Sequence, residues 1–263
     1  MDLALKDRVV MVAAASQGIG YGIAEAAASE GARLSIASRS KDRIEAAAAT
    51  LRDGYGVDCR GYVMDAADGP SIAAWTEATL RDFGEVHGLV VNAGGPPPGN
   101  FDDFDDAAWA GAYELTLMSA VRMIRSVLPP MRRQQSGAIL TVTSTSIREP
   151  LDNLLLSNVF RAGVVALVKS LANELAGDGI RVNNLVPGRI DTQRVRTLDA
   201  ANADRQGISV EAEREAQFAR IPLGSYGTIT DMGSAAAFLL SNAARYITGT
   251  TLVVDGGLTR GLP

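Results

Sequence analysis

Ser157 and Arg161 stand four residues apart in "LLLSNVFRAGVVALVKSLANEL", residues 154–175. A helix places positions i and i+4 on one face, so the hydroxyl and the guanidinium would point the same way. The hydroxyl can donate to a carbonyl oxygen. The guanidinium supplies charge and a planar fork of donors, but with a pKa above ~12 it does not pass on a proton. A second group of residues suits phosphate. "AAASQGIG" (13–20) follows an apolar run and opens a helical one. Gly18 and Gly20 keep side chains away from a diphosphate. The helix start beyond them offers free N–H groups and the positive end of its dipole. The same glycines would also serve simply to bring a helix close to a strand.

The elements that must position these groups alternate along the chain. "RVVMVAA" (8–14), "RLSIAS" (33–38), "CRGYVMD" (59–65), "GLVVNAG" (88–94), "GAILTVTS" (137–144), "IRVNNLVPG" (180–188) and "TLVVDGG" (251–257) read as seven buried strands. Helical segments lie between them. "GIAEAAASEG" stops at Gly31, and "DRIEAAAATLRD" ends at Gly54. Continuous apolar strands separated by helices predict an α/β fold. The expected form is a single doubly wound domain over residues 1–263, with a seven-stranded parallel sheet and helices on both faces. Ligands of such a sheet bind beyond the carboxyl ends of the strands. The loop "GGPPPGNFDDFDD" (94–106) lies there. So does the polar segment 189–220, which predicts a mobile helical lid.

Composition removes other classes. The chain has 263 residues, 47% hydrophobic and 21% charged, as expected of a soluble globular protein. Its net charge of −5 gives no reason to expect nucleic acid or an anionic membrane. A lone Cys59 excludes an internal disulfide, and a lone His87 leaves no basis for a metal site. Cys59 is expected half-buried at a strand start, and His87 on the surface. The start "MDLALKDRVVMVAAA" carries charges within its apolar run, unlike a secretory signal. No uninterrupted apolar run reaches the ~18 residues of a membrane span, so a cytoplasmic location is the expectation.

Five stretches together resemble the short-chain dehydrogenase/reductase family, of the 3-oxoacyl-(acyl-carrier-protein) reductase type. They are "SQGIG", "VMDAAD", "VVNAG", "VPGRIDT" and "ITGTTLVVDGG", in the family's order over essentially the whole chain. The resemblance implies that Ser16, Gln17, Gly18, Ile19 and Gly20 line the cofactor phosphates. It places Asp65 at the adenine amino group with Ala66 beside it, and Asn92, Ala93 and Gly94 around the adenosine ribose. Pro187, Gly188 and Ile190 would border the nicotinamide, and Thr192 would reach its amide or the pyrophosphate. Ala14 stands where the family has its first glycine. The family's NAD-binding acid is replaced by Ser38, with Arg39 next to it, which implies a preference for NADP(H) over NAD(H). A homotetramer or homodimer is also implied, paired through the helices after the fourth and fifth strands and through the last strand.

The same resemblance makes the reactive residues unusual. Ser144 fits the family's serine. Ser157 falls at its tyrosine, Arg161 at its lysine and Thr116 at its asparagine. Arg161 keeps a charge for the cofactor ribose, and Thr116 keeps a hydroxyl that can hold a water. Ser157 is a far weaker acid than tyrosine, whose pKa is ~10, and leaves a gap the size of a phenyl ring. Tyr113 is nearby but reads first as a packing residue. Arg148 and Asp152 read either as substrate contacts or as a solvated loop. The expected function is an NADP(H)-dependent oxidoreductase of a carbonyl or secondary alcohol with non-standard proton delivery. Two alternatives stay open. One is a nucleotide-binding protein with little turnover. The other is a non-redox enzyme like the halohydrin dehalogenases, which carry arginine at the lysine position.

Overall fold

A computed structural model of the chain describes residues 2–261. In chain order the elements are β1 (Val9–Ala13), α1 (Gly18–Ser29), β2 (Arg33–Ser38), α2 (Lys41–Tyr55), β3 (Cys59–Val63), α3 (Gly69–Phe83) and β4 (Gly88–Val91). Then come α4 (Asp106–Tyr113), a π-helical turn (Glu114–Met118), α5 (Ser119–Gln134), β5 (Gly137–Val142) and α6 (Leu155–Glu174). The chain closes with β6 (Ile180–Pro187), α7 (Gln193–Gln206), α8 (Val210–Arg220), α9 (Ile229–Leu240) and β7 (Thr251–Val254). The seven strands form one parallel sheet in the order β3-β2-β1-β4-β5-β6-β7. Strand order reverses between β1 and β4, and the loops beyond that point open the ligand crevice.

Alternation along each strand builds two cores, because successive side chains point to opposite faces. Val10 and Val12 join Leu34, Ile36, Val90 and Leu140 against Ile23 of α1, Ile44 of α2 and Met232 of α9. Met11 and Ala13 join Leu89, Ile139 and Val182 against Trp75 of α3, Met123 of α5 and Val164 of α6. Some of the buried polar groups are paired across the core. Ser35 Oγ receives Trp75 Nε1–H at 2.9 Å and meets Thr79 Oγ1 at 2.6 Å.

Several sequence expectations are corrected. The α2 helix runs through Gly54 to Tyr55 and stops where Gly56 turns left-handed at φ 68°. Cys59 is fully buried rather than half-buried, and burial pushes its thiol up to about 12, so it is inert. His87 is not a free surface side chain. Its Nδ1 accepts the Val9 N–H at 3.0 Å, and burial lowers its pKa. One helix, α6, is long and apolar enough by composition to cross a membrane, although Arg161 and Lys169 interrupt its apolar run. Here α6 packs on β6 and on the π turn.

The closest helix contact joins α1 to α9. A Cβ on Gly22 would sit 2.5 Å from Ile229 O, and one on Gly233 would sit 2.4 Å from Gly22 O. Both obstacles are backbone, so neither can yield without moving a helix. Gly22→Ala should therefore lower unfolding free energy by about 3 kcal/mol or more. Urea unfolding of the two proteins measures it, and an unchanged midpoint would contradict the packing.

Candidate active site

Two cavities meet above the carboxyl ends of β1, β4, β5 and β6. The first is a groove of about 640 Å³. Its lining brings together Ala14, Ser16, Gln17, Gly18, Ile19 and Gly20 of the first turn, Ser38 and Arg39 after β2, Asp65 and Ala66 after β3, Asn92, Ala93 and Gly94 after β4, and Thr192. These are the residues expected to hold a dinucleotide, apart from four, Arg161 among them, that border the second cavity. That second cavity, a chamber of about 450 Å³, is lined by Pro187, Gly188 and Ile190 together with Ser144, Ser157 and Arg161. Ile19, Asn92, Ala93, Gly94 and Thr192 line both, so groove and chamber are continuous. A third cavity of about 410 Å³ lies around His87 and Arg181, at the opposite edge of the sheet, away from all of these residues.

The groove fits a dinucleotide by its shape. Gly18 has φ +62°, and a Cβ on Gly20 would lie 2.4 Å from Ala14 O, so the turn closes only around glycine at these points. No side chain caps the start of α1, which leaves its first N–H groups to a ligand. A Cβ on Gly94 would meet nothing within 4 Å, so the wall there is open. Ala14 keeps the left-handed backbone a glycine would have, at φ 51°. The turn therefore survives the substitution at a conformational cost. Asp65 Oδ1 accepts its own Asx-turn N–H from Ala67 at 2.9 Å.

Several of these side chains also have work within the fold. The Asn92 amide donates to Ala13 O at 3.3 Å and Ala14 O at 3.5 Å, holding the end of β1. Thr192 caps α7 through Val195 N–H at 3.4 Å, and its methyl faces Gly18. Ile190 is buried and bridges to Gly227. Arg43 also lines the groove beside Arg39 and was missed. Its signal was present in "SRSKDR", four residues beyond Arg39 and one turn into the next helix.

The chamber floor is a hydrogen-bonded unit. Arg161 Nε donates to Ser157 Oγ at 3.0 Å, and its Nη1 donates to Val142 O at 3.2 Å and Thr143 O at 3.1 Å. Burial, then the like charge of Arg194, pushes the guanidinium down to about 10. It remains cationic at neutral pH. Ser144 Oγ accepts Ser146 N–H at 3.2 Å. Both serine oxygens thus accept an N–H, and both hydroxyl protons are left to donate. Thr116 lies behind this floor, on the π turn, and lines neither large cavity. Its Oγ1 is buried without a partner beside a pocket of about 20 Å³ that Arg161 also lines. One water fits such a volume.

Among the described residues no tyrosine lines the chamber. Tyr113 is turned away, 39% exposed, with its ring 6.0 Å from that of Phe160. Arg148 and Asp152 are exposed and line neither cavity. No group of three metal-binding side chains was found among the described residues. The segment 189–220 forms α7 and α8 and supplies Arg194, Val195, Leu198, Gln217 and Arg220 to the chamber wall. Its buried acids were not foreseen. Asp199 is 0% exposed and is held by Arg189 and by Tyr226 O–H at 3.0 Å.

The chain matches the family model described as enoyl-(acyl carrier protein) reductase over residues 13–259. It is 34% identical to the 3-oxoacyl-(acyl-carrier-protein) reductase of Escherichia coli over 253 residues, covering 95% of this chain and 97% of that one. Its structure is similar to L-sorbose reductase of Gluconobacter frateurii, solved with NADPH and L-sorbose, with a TM-score of 0.95 and 30% identity over 100% of both chains. It is also similar to an NADPH-bound short-chain oxidoreductase of Pseudomonas aeruginosa described as containing an atypical catalytic center. There the TM-score is 0.88, with 32% identity over 98% of this chain and 100% of that one. The chain belongs to the short-chain dehydrogenase/reductase family. It is an oxidoreductase of that family, built on a single α/β domain.

The strained turn is testable. Ala14→Gly should raise unfolding free energy by on the order of 1 kcal/mol, since an L side chain in the left-handed region costs about that. NADPH affinity should hold or improve. A melting temperature that falls on this substitution would contradict the backbone geometry.

Proposed function

We propose that the chain is an NADP(H)-dependent oxidoreductase that interconverts a carbonyl and its alcohol without a tyrosine acid. The observation carrying this reading is the Ser157–Arg161 unit on the floor of a chamber continuous with the dinucleotide groove. In balance, carbonyl, NADPH and one proton give alcohol and NADP⁺. NADPH, held in the groove by residues such as Ser16, Gln17 and Arg39, would supply the hydride to the carbonyl carbon. Ser144 and Ser157 donate to the carbonyl oxygen and stabilise its growing charge. Arg161 strengthens the Ser157 donor, because its N–H bond to Oγ draws electron density from that hydroxyl. The proton comes from water. A water held by Thr116 behind Arg161 is the second part of this proposal. Helices α7 and α8 act as the substrate lid. NADPH-complexed relatives and Ser38 with Arg39 and Arg43 at the groove end support NADP(H).

The wider reading is a 3-oxoacyl-reductase-like enzyme working as a homotetramer or homodimer in the cytoplasm. Part-exposed apolar residues on the edge strand β7 and exposed Tyr113 and Val159 support the assembly. The lost tyrosine supports one alternative, a nucleotide-binding protein with little turnover.

Fluorescence titration should find NADPH bound several-fold more tightly than NADH, with Arg39→Ala closing most of the gap. Equal affinities in the unaltered protein would remove the NADP(H) reading. Ser157→Tyr with Arg161→Lys should raise reduction of a simple activated ketone by ~10²-fold at best, the size of a general-acid contribution. Ser157→Tyr alone should help little, because Arg161 is bulkier than lysine. If the unaltered protein binds NADPH yet oxidises it with no carbonyl offered, the low-turnover reading replaces this one.

A further inference from the structure

The chamber holds an excess of positive charge that the reaction itself does not need. Arg161, Arg194, Arg220 and Arg260 line it, and none has a carboxylate partner among the described residues. Arg189 also lines it but is neutralised by Asp199. Glu149 is the one carboxylate in the lining, exposed on the outer wall and paired with no arginine. The whole chain carries a net charge of −5, so this concentration of cations is local. Arg161 is half-buried, and its recorded hydrogen bonds go to neutral oxygens, which leaves its charge uncompensated. Arg194 reaches across the cleft from α7, and a Cβ on Gly95 would lie 2.4 Å from its Nη2. Arg220, at the end of α8, and Arg260 line the chamber at its solvent-exposed rim, and Arg194 is exposed as well.

The cofactor phosphates do not account for all four. Arg194 lines both cavities and could serve a pyrophosphate, but Arg220 and Arg260 line the chamber and not the groove. A cleft lined by one sign of charge draws in ligands of the other sign. Arginine forks match the planar oxygens of a carboxylate or a phosphate ester.

We infer that the carbonyl substrate of this chamber bears an oxyanion, a carboxylate or a phosphate ester, held by Arg194, Arg220 and Arg260. This rests on the oxidoreductase reading for the word carbonyl and on the arginines for the anion. Acid and ester, phosphorylated and free, are distinguished by the same mechanism. The anion meets two or more cations at one end of the chamber while Ser144 and Ser157 hold the carbonyl at the other.

The test uses matched pairs with the full chain and saturating NADPH. Acetoacetate is compared with ethyl acetoacetate, and dihydroxyacetone phosphate with dihydroxyacetone. The readout is the ratio of kcat/KM, anionic over neutral. At least one ratio should be tenfold or more, and which pair gives it separates carboxylate from phosphate. The ratio should fall about tenfold in Arg220→Gln/Arg260→Gln and in Arg194→Gln, and partly recover in Arg194→Lys. Ratios near one in the unaltered protein overturn the inference and leave the oxidoreductase reading standing. An unchanged ratio in Arg194→Gln with NADPH affinity weakened tenfold assigns that arginine to the cofactor. An unchanged ratio in the Arg220/Arg260 pair as well overturns the inference. If no ketone is reduced, calorimetry of acetoacetate and dihydroxyacetone phosphate against the NADPH-loaded protein decides the question separately. Binding lost in Arg220→Gln/Arg260→Gln supports the anion site while the redox reading fails, and no binding overturns the site too.

Discussion

All seven strands of a parallel sheet end on one edge, and the carbonyls at that edge have no further strand to pair with. A buried carbonyl without a partner costs on the order of 1–3 kcal/mol. Two side chains meet this demand here. Asn92 donates to the carbonyls of Ala13 and Ala14 at the end of β1, and Arg161 donates to those of Val142 and Thr143 at the end of β5. Each of these bonds also sets a wall of the site. The Asn92 bond shapes the turn that opens α1. The Arg161 bonds fix α6 against the sheet and orient Ser157 through Nε. The chemistry of the chamber is thus built from groups that the sheet edge requires for its own stability.

This arrangement gives Arg161 a structural place of its own at the sheet edge. A lysine has one nitrogen and a compact charge. Arginine's fork reaches two backbone carbonyls and a serine hydroxyl at once, so the longer side chain is fully engaged rather than misplaced. The chamber's cationic lining comes from Arg161 on α6, from α7 and α8, and from Arg260 of the C-terminal loop. Fold membership leaves such differences open, since a family shares the scaffold and each member supplies its own site.

The covering pair α7 and α8 is tied down by buried polar contacts. Asp199 is fully buried against Arg189, Tyr226 and Arg214. Glu213 is buried as well. Burial alone would raise its pKa, but hydrogen bonds from Gln217, Gln206 and Asn202 more than offset this, and it falls. Removing one partner of such a group leaves a charge without compensation, so these contacts specify one docking of the pair. The bridge between Ile190 and Gly227 ties both ends of the segment to β6.

The strands, their parallel orientation and the turn that opens the groove were legible in the sequence. Apolar runs such as "RVVMVAA" and the glycines at 18 and 20 have local physical meanings that survive folding. The spacing of Ser157 and Arg161 also translated directly into a shared helix face. Other features depended on partners distant in the chain. No local pattern tells that Asn92 will bond to Ala13, because that bond spans 79 residues. His87 looked free until Val9 supplied its N–H, and Cys59 looked half-buried until β2 and α2 closed over it. The π turn that withdraws Thr116 from the chamber has no composition signal. The arginines at 194, 220 and 260 are scattered over 67 positions of sequence, as an ordinary polar segment would scatter them. Only the docking of α7, α8 and the C-terminal loop puts them on one cavity. The sequence by itself determined what each segment could be, because period and turn chemistry are local. The tertiary structure decided which charges and hydroxyls meet, because electrostatics and hydrogen bonds act through space rather than along the chain.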